Sequence, residues 1–225
     1  MSPARVLILG VDAVDPQLLG RWMADGTLPH LARAAARGSS GEVRSVAGFF
    51  VGSTWPSFQS GLSPAGHGVH YLAAIQPGSY ALANPYHTNG VHGEPFWATL
   101  SRAGHRVAVL DVPLSQLDPT LNGVQLVEWG GHDSIFGFQA HPPELEAAVL
   151  QRFGAHPQGP ICDGHRQNAA DWEAFTERLI QGAKRRAELT RHFLAEEDWD
   201  CLIQVFTEAH CAGHQAWHLH DPTHP

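Results

Sequence analysis

Residues 6–12 read Val6-Leu7-Ile8-Leu9-Gly10-Val11-Asp12. An apolar run of this length, without polar alternation, indicates a strand buried on both faces, as in a parallel sheet. Leucine, tryptophan and alanine then recur at helical spacing over 16–38, with a break near Gly26 and Pro29. The N-terminal segment is therefore predicted to form a βα unit whose strand ends at Asp12.

The same alternation of strands and helices continues along the chain. Helical patterns follow Thr54 as far as Pro64, and further strands and helices are predicted from periodicity at 42–46 (a weak strand), 94–104 (helix), 106–112 (strand), 124–129 (strand), 142–153 (helix), 171–196 (helix) and 201–206 (strand). This order predicts a doubly wound, mainly parallel α/β sheet with helices on both faces, which binds ligands at the carboxyl ends of its strands. We expect 1–225 to form one domain, in which 68–95 is an irregular insertion near the site.

Composition restricts the function classes. The formal net charge is −8 and the 14 basic residues form no long cluster, which argues against binding to a nucleic-acid polymer. No apolar run is long enough to cross a membrane, and no signal-peptide pattern opens the chain. The three cysteines, Cys162, Cys201 and Cys211, lack a disulfide spacing, so we expect reduced thiols and a cytoplasmic location.

The segment Gly52-Ser53-Thr54-Trp55-Pro56-Ser57 places hydroxyl groups at a predicted helix start. The plain interpretation is that Thr54 caps the helix and Pro56 occupies its first turn. The functional interpretation is that Thr54 is a nucleophile at a helix N-terminus, where a phosphate or alkoxide is stabilised. Ser53 is an alternative nucleophile, and Ser57 is a candidate donor to substrate oxygens. Because a threonine hydroxyl needs activation, Zn²⁺ held by Asp12 is the natural partner.

Histidine is the compositional outlier, with 16 residues. His210, His214 and His218 are spaced i,i+4, so they share one face if the segment is helical, a common arrangement for zinc ligands. Glu208 is either a further carboxylate ligand or a surface residue. Other histidines carry weaker signals: His67 is expected to tie down a turn, and His132 with Asp133 follows a predicted strand end.

Together these elements resemble the type I phosphodiesterase and nucleotide pyrophosphatase family of the alkaline phosphatase superfamily. The resemblance covers about the first 70 residues: the opening strand with Asp12, then Gly26-Thr27-Leu28-Pro29-His30-Leu31, then Thr54-Trp55-Pro56-Ser57 through Pro64 to His67-Gly68. It implies an alkaline phosphatase-like domain with two divalent metal ions, most simply Zn²⁺. Asp12 and Thr54 share one ion, and Thr54 forms a phospho-threonine intermediate. The family's Asp-x-x-x-His pair for the second metal corresponds to His210 and His214.

This chain departs from the family pattern at three places. His210 stands where the family has Asp, and Ser57 stands where it has Asn. The family's Asp-His-Gly segment and final histidine are not found, so we expect an N-terminal fragment that itself binds metal poorly. The expected function is metal-dependent hydrolysis of a small phosphate ester or nucleotide. The alternatives are a phosphomutase, a catalytically impaired metal- or ligand-binding member of the fold, and a histidine-rich zinc-storage segment.

Overall fold

The computed structural model describes residues 5–45, 47–48, 50–88, 90–131, 134–159, 162–221 and 223. Within them lies a five-stranded sheet of order β1-β7-β4-β5-β6 and a separate hairpin, β2-β3. The strands are β1 Val6–Val11, β2 Ala74–Ile75, β3 Leu82–Ala83, β4 Val107–Leu110, β5 Gly123–Val127, β6 Gln139–His141 and β7 Cys201–Phe206. The helices are α1 Pro16–Ala24, α2 Pro29–Arg37, α3 Thr54–Ser60, α4 Pro64–His67, α5 Phe96–Arg102, α6 Glu144–Phe153, α7 Ala169–Glu196 and α8 Glu208–His220.

The sheet is mainly parallel. β7 pairs in parallel with β1 on one side and with β4 on the other, β5 continues in parallel, and β6 closes the sheet antiparallel to β5. Alternate side chains of the central strands point to opposite faces: Ala108, Leu110 and Leu202 pack with α6 and α7, whereas Val109 and Ile203 pack against α3 and α5. Both faces are therefore covered, and the predicted α/β class is confirmed.

β1 differs from the expectation of a strand buried on both faces. It is the outermost strand of the sheet in the described part of the chain, and Val6, Leu7, Leu9 and Val11 are each 46–55% exposed. The apolar run predicted the strand correctly, but it does not fix the strand's place in the sheet. Sheet order depends on pairing partners that are remote in sequence.

Three other predictions need correction. Residues 42–45 form no strand, and Val43 is fully exposed because no neighbouring strand or helix face covers it; residue 46 lies outside the described residues. The reduced state expected for all three cysteines is wrong for Cys162 and Cys211, which form a disulfide with a Cα–Cα distance of 5.2 Å. Cys201 is free and buried. On α7, the helical periodicity of 171–196 predicts an apolar face that includes Ile180, but the buried stripe runs through Arg186 and Ile180 is 44% exposed.

Among the described helices, none has the length and apolarity needed to span a lipid bilayer.

Candidate active site

The site lies at the carboxyl ends of β1 and β7. Because these strands run in parallel with Val11 opposite Phe206, the residues that follow them emerge side by side. The backbone N–H of Asp12 donates to the carbonyl of Phe206 at 2.8 Å. α8 begins directly after β7, so its first turns lie beside Asp12. Parallel pairing of β1 with β7 thus places two segments that are distant in sequence, and that carry the candidate metal ligands, side by side.

The Asp12 carboxylate contacts side chains from α3 and α8. Its Oδ1 accepts a hydrogen bond from the indole Nε1 of Trp55 at 3.0 Å, and its Oδ2 lies 3.0 Å from Nδ1 of His210. The indole approaches β1 closely beside Gly10, where an added Cβ would lie 3.1 Å from Val205 and 3.5 Å from the ring of Trp55. Glycine at this position leaves room for the tryptophan that orients the carboxylate.

Thr54 is the first residue of α3 and its side chain is exposed. The predicted cap is displaced by one residue, since Ser53 occupies the N-cap position and Thr54 already belongs to the helix. The hydroxyl of Ser53 donates to the carbonyl of Phe50 at 2.7 Å, and the residue is buried. Of the two candidate nucleophiles, Thr54 is therefore the exposed residue, and it is next to the tryptophan that donates to Asp12.

Ser57 lies one turn further along α3. Its Oγ is 3.0 Å from Nε2 of His67, a fully buried residue at the end of α4. Nδ1 of His67 accepts a hydrogen bond from the backbone N–H of Val69 at 3.1 Å, so the histidine does tie down the turn after α4. Burial, aided by the charge of nearby His70, lowers the pKa of His67 against the opposing effect of a hydrogen bond to the Ser53 backbone.

The histidines of α8 are arranged as the spacing predicted. The segment is helical despite Gly213, and the rings of His210 and His214 stack with centroids 4.4 Å apart. The ring of His218 instead contacts Trp172 of α7, with centroids 5.2 Å apart. Over the residues that the structure describes, no group of three or more His, Cys, Asp or Glu side chains is close enough to enclose a metal ion. The predicted ligands Asp12 and His210 do come together, with His214 beside them.

Donor chemistry and spacing at Asp12 and His210 suit one divalent ion. Two ligands on a tetrahedral zinc, with bonds of about 2.0–2.1 Å, lie roughly 3.3 Å apart. The nitrogen of His210 and the oxygen of Asp12 are 3.0 Å apart, which is close to that value. An imidazole and a carboxylate are both ordinary zinc ligands. The two side chains thus have the donor types and spacing of two zinc ligands, and in this structure they contact each other directly.

Behind the site lies a buried charged network centred on Arg186 of α7, which is fully buried. Its guanidinium donates to Asp111, to Oε1 of Glu208 at 3.0 Å, to the carbonyl of Gly130 at 2.7 Å and to the hydroxyl of Thr207 at 3.1 Å. These partners follow β4, β5 and β7. A single side chain thus fixes the carboxyl ends of three strands relative to each other.

The network also determines the role of Glu208. Its Oε1 accepts hydrogen bonds from Arg186 and from Nε2 of His156, each at 3.0 Å, and the residue is 7% exposed. Burial raises the pKa of this carboxyl, but the hydrogen bond from His156 and the charge of Arg186 outweigh it, and the pKa lies below its usual value. The surface role considered for Glu208 is wrong, and the side chain that contacts Asp12 at 3.0 Å is that of His210.

Sequence reasoning missed His156, Trp55 and the burial of Arg186. For Arg186 a signal was available, because it lies two helical turns after Leu179 and two before Phe193, on the buried stripe of α7. No comparable signal marks His156, which sits in the loop after α6. The suspected pair His132 and Asp133 lies outside the described residues, as does His224.

Segment 68–95 contains only short elements in its described part and contacts the end of α4. The carbonyl of His67 accepts a hydrogen bond from the backbone N–H of His92 at 2.9 Å. At Gly68, where φ is +81°, an added Cβ would lie 2.5 Å from the carbonyl oxygen of Gly90. Glycine is required here because the two backbones approach so closely. The segment is thereby attached to the turn that carries His67.

Comparison with known families gives a clear match. A model described as "Type I phosphodiesterase / nucleotide pyrophosphatase" matches residues 6–225, nearly the whole chain. The chain belongs to this family. The sequence motifs that resemble this family lie mainly in the first 70 residues. The family match extends further and includes α8. A search of curated proteins finds no significant match.

Among solved structures, the chain is similar to phosphonoacetate hydrolase from Sinorhizobium meliloti 1021, crystallised in complex with phosphonoformate. The TM-score is 0.52 at 17% identity, and the match covers 90% of this chain and 46% of that one. At this identity the likeness concerns the fold alone, a mainly parallel sheet with helices on both faces. The chain spans about half the length of the structure it matches.

Proposed function

We propose that this chain belongs to a hydrolase that acts on small phosphate esters, with Thr54 as the attacking group. The observation that supports the proposal is the assembly around Asp12: exposed Thr54 is adjacent to Trp55, whose indole donates to Asp12, and His210 pairs with the same carboxylate. Family membership over residues 6–225 supports the same chemistry.

The proposed reaction has two displacements at phosphorus. The Thr54 oxygen bonds to phosphorus while the ester bond to the leaving group breaks, and the departing oxygen takes up a proton. Water then attacks phosphorus, the bond to Thr54 breaks, and phosphate or a phosphate monoester leaves. A divalent ion held at Asp12 and His210 would lower the pKa of the threonine hydroxyl and offset the charge on phosphoryl oxygens.

The side chains around Thr54 have separate tasks in this scheme. Trp55 fixes one oxygen of Asp12 and so leaves the other directed toward His210. Ser57 is the proposed donor to a phosphoryl oxygen. Diesters, nucleotide pyrophosphates, monoesters and phosphonates are all candidate substrates, and we assign the choice to segment 68–95.

The direct test is to trap the intermediate. The intact protein is mixed with 4-nitrophenyl phosphate esters and Zn²⁺, quenched in acid and digested. We expect the peptide that contains Thr54 to gain the mass of one phosphoryl group from a monoester, or of a phosphoryl group with its remaining ester substituent from a diester, because acid preserves a phosphate ester of threonine. The same peptide of Thr54→Ala should gain nothing. Phosphorylation at another residue, or hydrolysis without any phosphoprotein, would contradict the proposal.

Zinc content tests the metal part separately. We expect Asp12→Asn and His210→Ala each to weaken zinc binding by roughly 10-fold to 100-fold or more, since each removes a ligand. Zinc bound after equilibrium dialysis is measured in both variants and in a control, His220→Ala, at the end of α8. The zinc-storage alternative predicts no change in Asp12→Asn. Equal zinc in all variants would reject Asp12 as a ligand.

The phosphomutase alternative makes the same intermediate and differs in the acceptor. A trapped phosphoprotein that transfers its phosphoryl group to a sugar faster than to water would favour it. An impaired binding member would show zinc binding that depends on Asp12 but no phosphorylated Thr54.

A further inference from the structure

His67 makes hydrogen bonds through both its backbone and its ring, more than are needed to stabilise a turn. It is fully buried, its backbone N–H donates to the carbonyl of Ser63 at 3.0 Å, and its own carbonyl accepts from His92 at 2.9 Å. Both ring nitrogens also have partners, Val69 at Nδ1 and Ser57 at Nε2. The ring position is therefore fixed from both its backbone and its side chain.

The hydrogen bonds define which nitrogen carries the proton. A backbone N–H can only donate, so Nδ1, which accepts from Val69, bears no hydrogen. The single proton of the neutral ring is then on Nε2, where Ser57 Oγ lies 3.0 Å away and the backbone of Ser53 is a second neighbour of the ring. The lowered pKa of His67, caused first by burial, agrees with a neutral ring. Ser57 is consequently the acceptor in this pair, and its own hydroxyl hydrogen remains available.

Comparison with Ser60 on the same helix shows why this matters. The hydroxyl of Ser60 donates back to the carbonyl of Pro56, four residues earlier, at 2.7 Å, as serines in helices commonly do. Among the described residues, the side chain of Ser57 makes its hydrogen bond with His67 instead. Thr54 and Ser57 are three residues apart on α3, so they share a face of the helix.

We propose that His67 is a positioning residue that makes Ser57 a hydrogen-bond donor to a phosphoryl oxygen of a substrate bound at Thr54. With one lone pair of the Ser57 oxygen engaged by His67, the hydroxyl hydrogen is directed away from the histidine. The serine then offers a hydrogen-bond donor in a fixed position. The asparagine that the family has at this position could offer a donor through its side-chain amide. This inference rests on the proposed function, because it assumes that Thr54 is the nucleophile.

A double-mutant cycle in the intact protein tests the pair. We expect His67→Leu to lower kcat for a 4-nitrophenyl phosphate ester by roughly 100-fold to 1,000-fold with little change in KM, as for loss of one donor to a transition-state oxyanion. Ser57→Ala should lose a similar factor, and the double variant should lose no more than Ser57→Ala alone. His67→Gln should recover part of the rate, since its amide N–H can donate to Ser57.

Ser60→Ala is the matched control and should retain the full rate, because its hydroxyl is used within the helix. Thermal unfolding of every variant checks that the fold is kept. If His67→Leu does not fold, His67→Phe, which keeps a ring but has no hydrogen-bond donor, closes the same cycle with Ser57→Ala. If Thr54→Ala is inactive, the proposed function stands, and the pair can be judged by itself. Additive losses in the double variant, or an unchanged rate in His67→Leu, would then overturn the inference. An active Thr54→Ala would instead reject the proposed function itself.

Discussion

Thr54→Ala is expected to abolish phosphoester hydrolysis, with a loss of roughly 10⁴-fold or more in kcat, as is common when a covalent nucleophile is removed. The side chain is exposed at the start of α3, so its loss should leave the fold and its stability nearly unchanged. Steady-state hydrolysis of a 4-nitrophenyl phosphate ester measures the effect, and thermal unfolding checks the fold.

Two variants sharpen this result. Thr54→Ser keeps a hydroxyl at the same place and should retain measurable turnover. Thr27→Ala removes another exposed threonine close to a helix start, ahead of α2, and should behave as the unmodified protein. If Thr54→Ala hydrolyses the ester at a rate near that of Thr27→Ala, Thr54 is not the nucleophile, and Ser53 would be the next residue to test.

Replacing Arg186 is expected to give the largest loss of stability. In Arg186→Met the carboxylates of Asp111 and Glu208 keep their buried positions but lose the cation that both contact. Removing one partner of a buried charged pair typically costs about 3–5 kcal/mol, because the remaining charge is left uncompensated. The lost hydrogen bonds to Gly130 and Thr207 add to the effect. We therefore expect at least that reduction in the free energy of unfolding, measured by urea denaturation.

The neighbouring residue supplies the control. Arg185 precedes Arg186 on α7, but its side chain is 44% exposed and its contact with Glu188 is a surface pair. Arg185→Met should change stability by less than about 1 kcal/mol. Arg186→Lys should fall between the two, since a lysine keeps the charge but cannot reproduce the forked geometry of the guanidinium. A cost for Arg186→Met as small as that for Arg185→Met would show that the network does not stabilise the strand ends.

Local patterns were sufficient for most of the fold. The apolar runs at 6–11 and 201–206 predicted β1 and β7, and the 3.6-residue periodicity after 171 predicted most of α7. These elements follow from hydrophobic spacing, which is a property of neighbouring residues. The weak strand predicted at 42–46 is not formed over the described residues 42–45, because a short segment forms a strand only where a partner strand or a covering face is present.

The site was predictable in part. The i,i+4 spacing of His210 and His214 anticipated their stacked rings on α8, and motif order pointed to Asp12 and Thr54. Their roles as ligands and nucleophile remain predictions. The partner of Asp12 on α3, Trp55, was not foreseen, since nothing in local spacing distinguishes a core tryptophan from one that donates to a carboxylate.

By itself, the sequence determined the α/β class, the strand that delivers Asp12, the hydroxyl at the start of α3 and the histidine face of α8. Tertiary structure alone decided that β1 lies beside β7, that Cys162 pairs with Cys211, that Arg186 is buried and that His67 contacts Ser57. The physical reason is the sequence separation over which each interaction acts. Periodicity and capping act over a few residues, whereas strand order, charge pairing and the protonated nitrogen of a buried histidine depend on atoms brought together from distant parts of the chain.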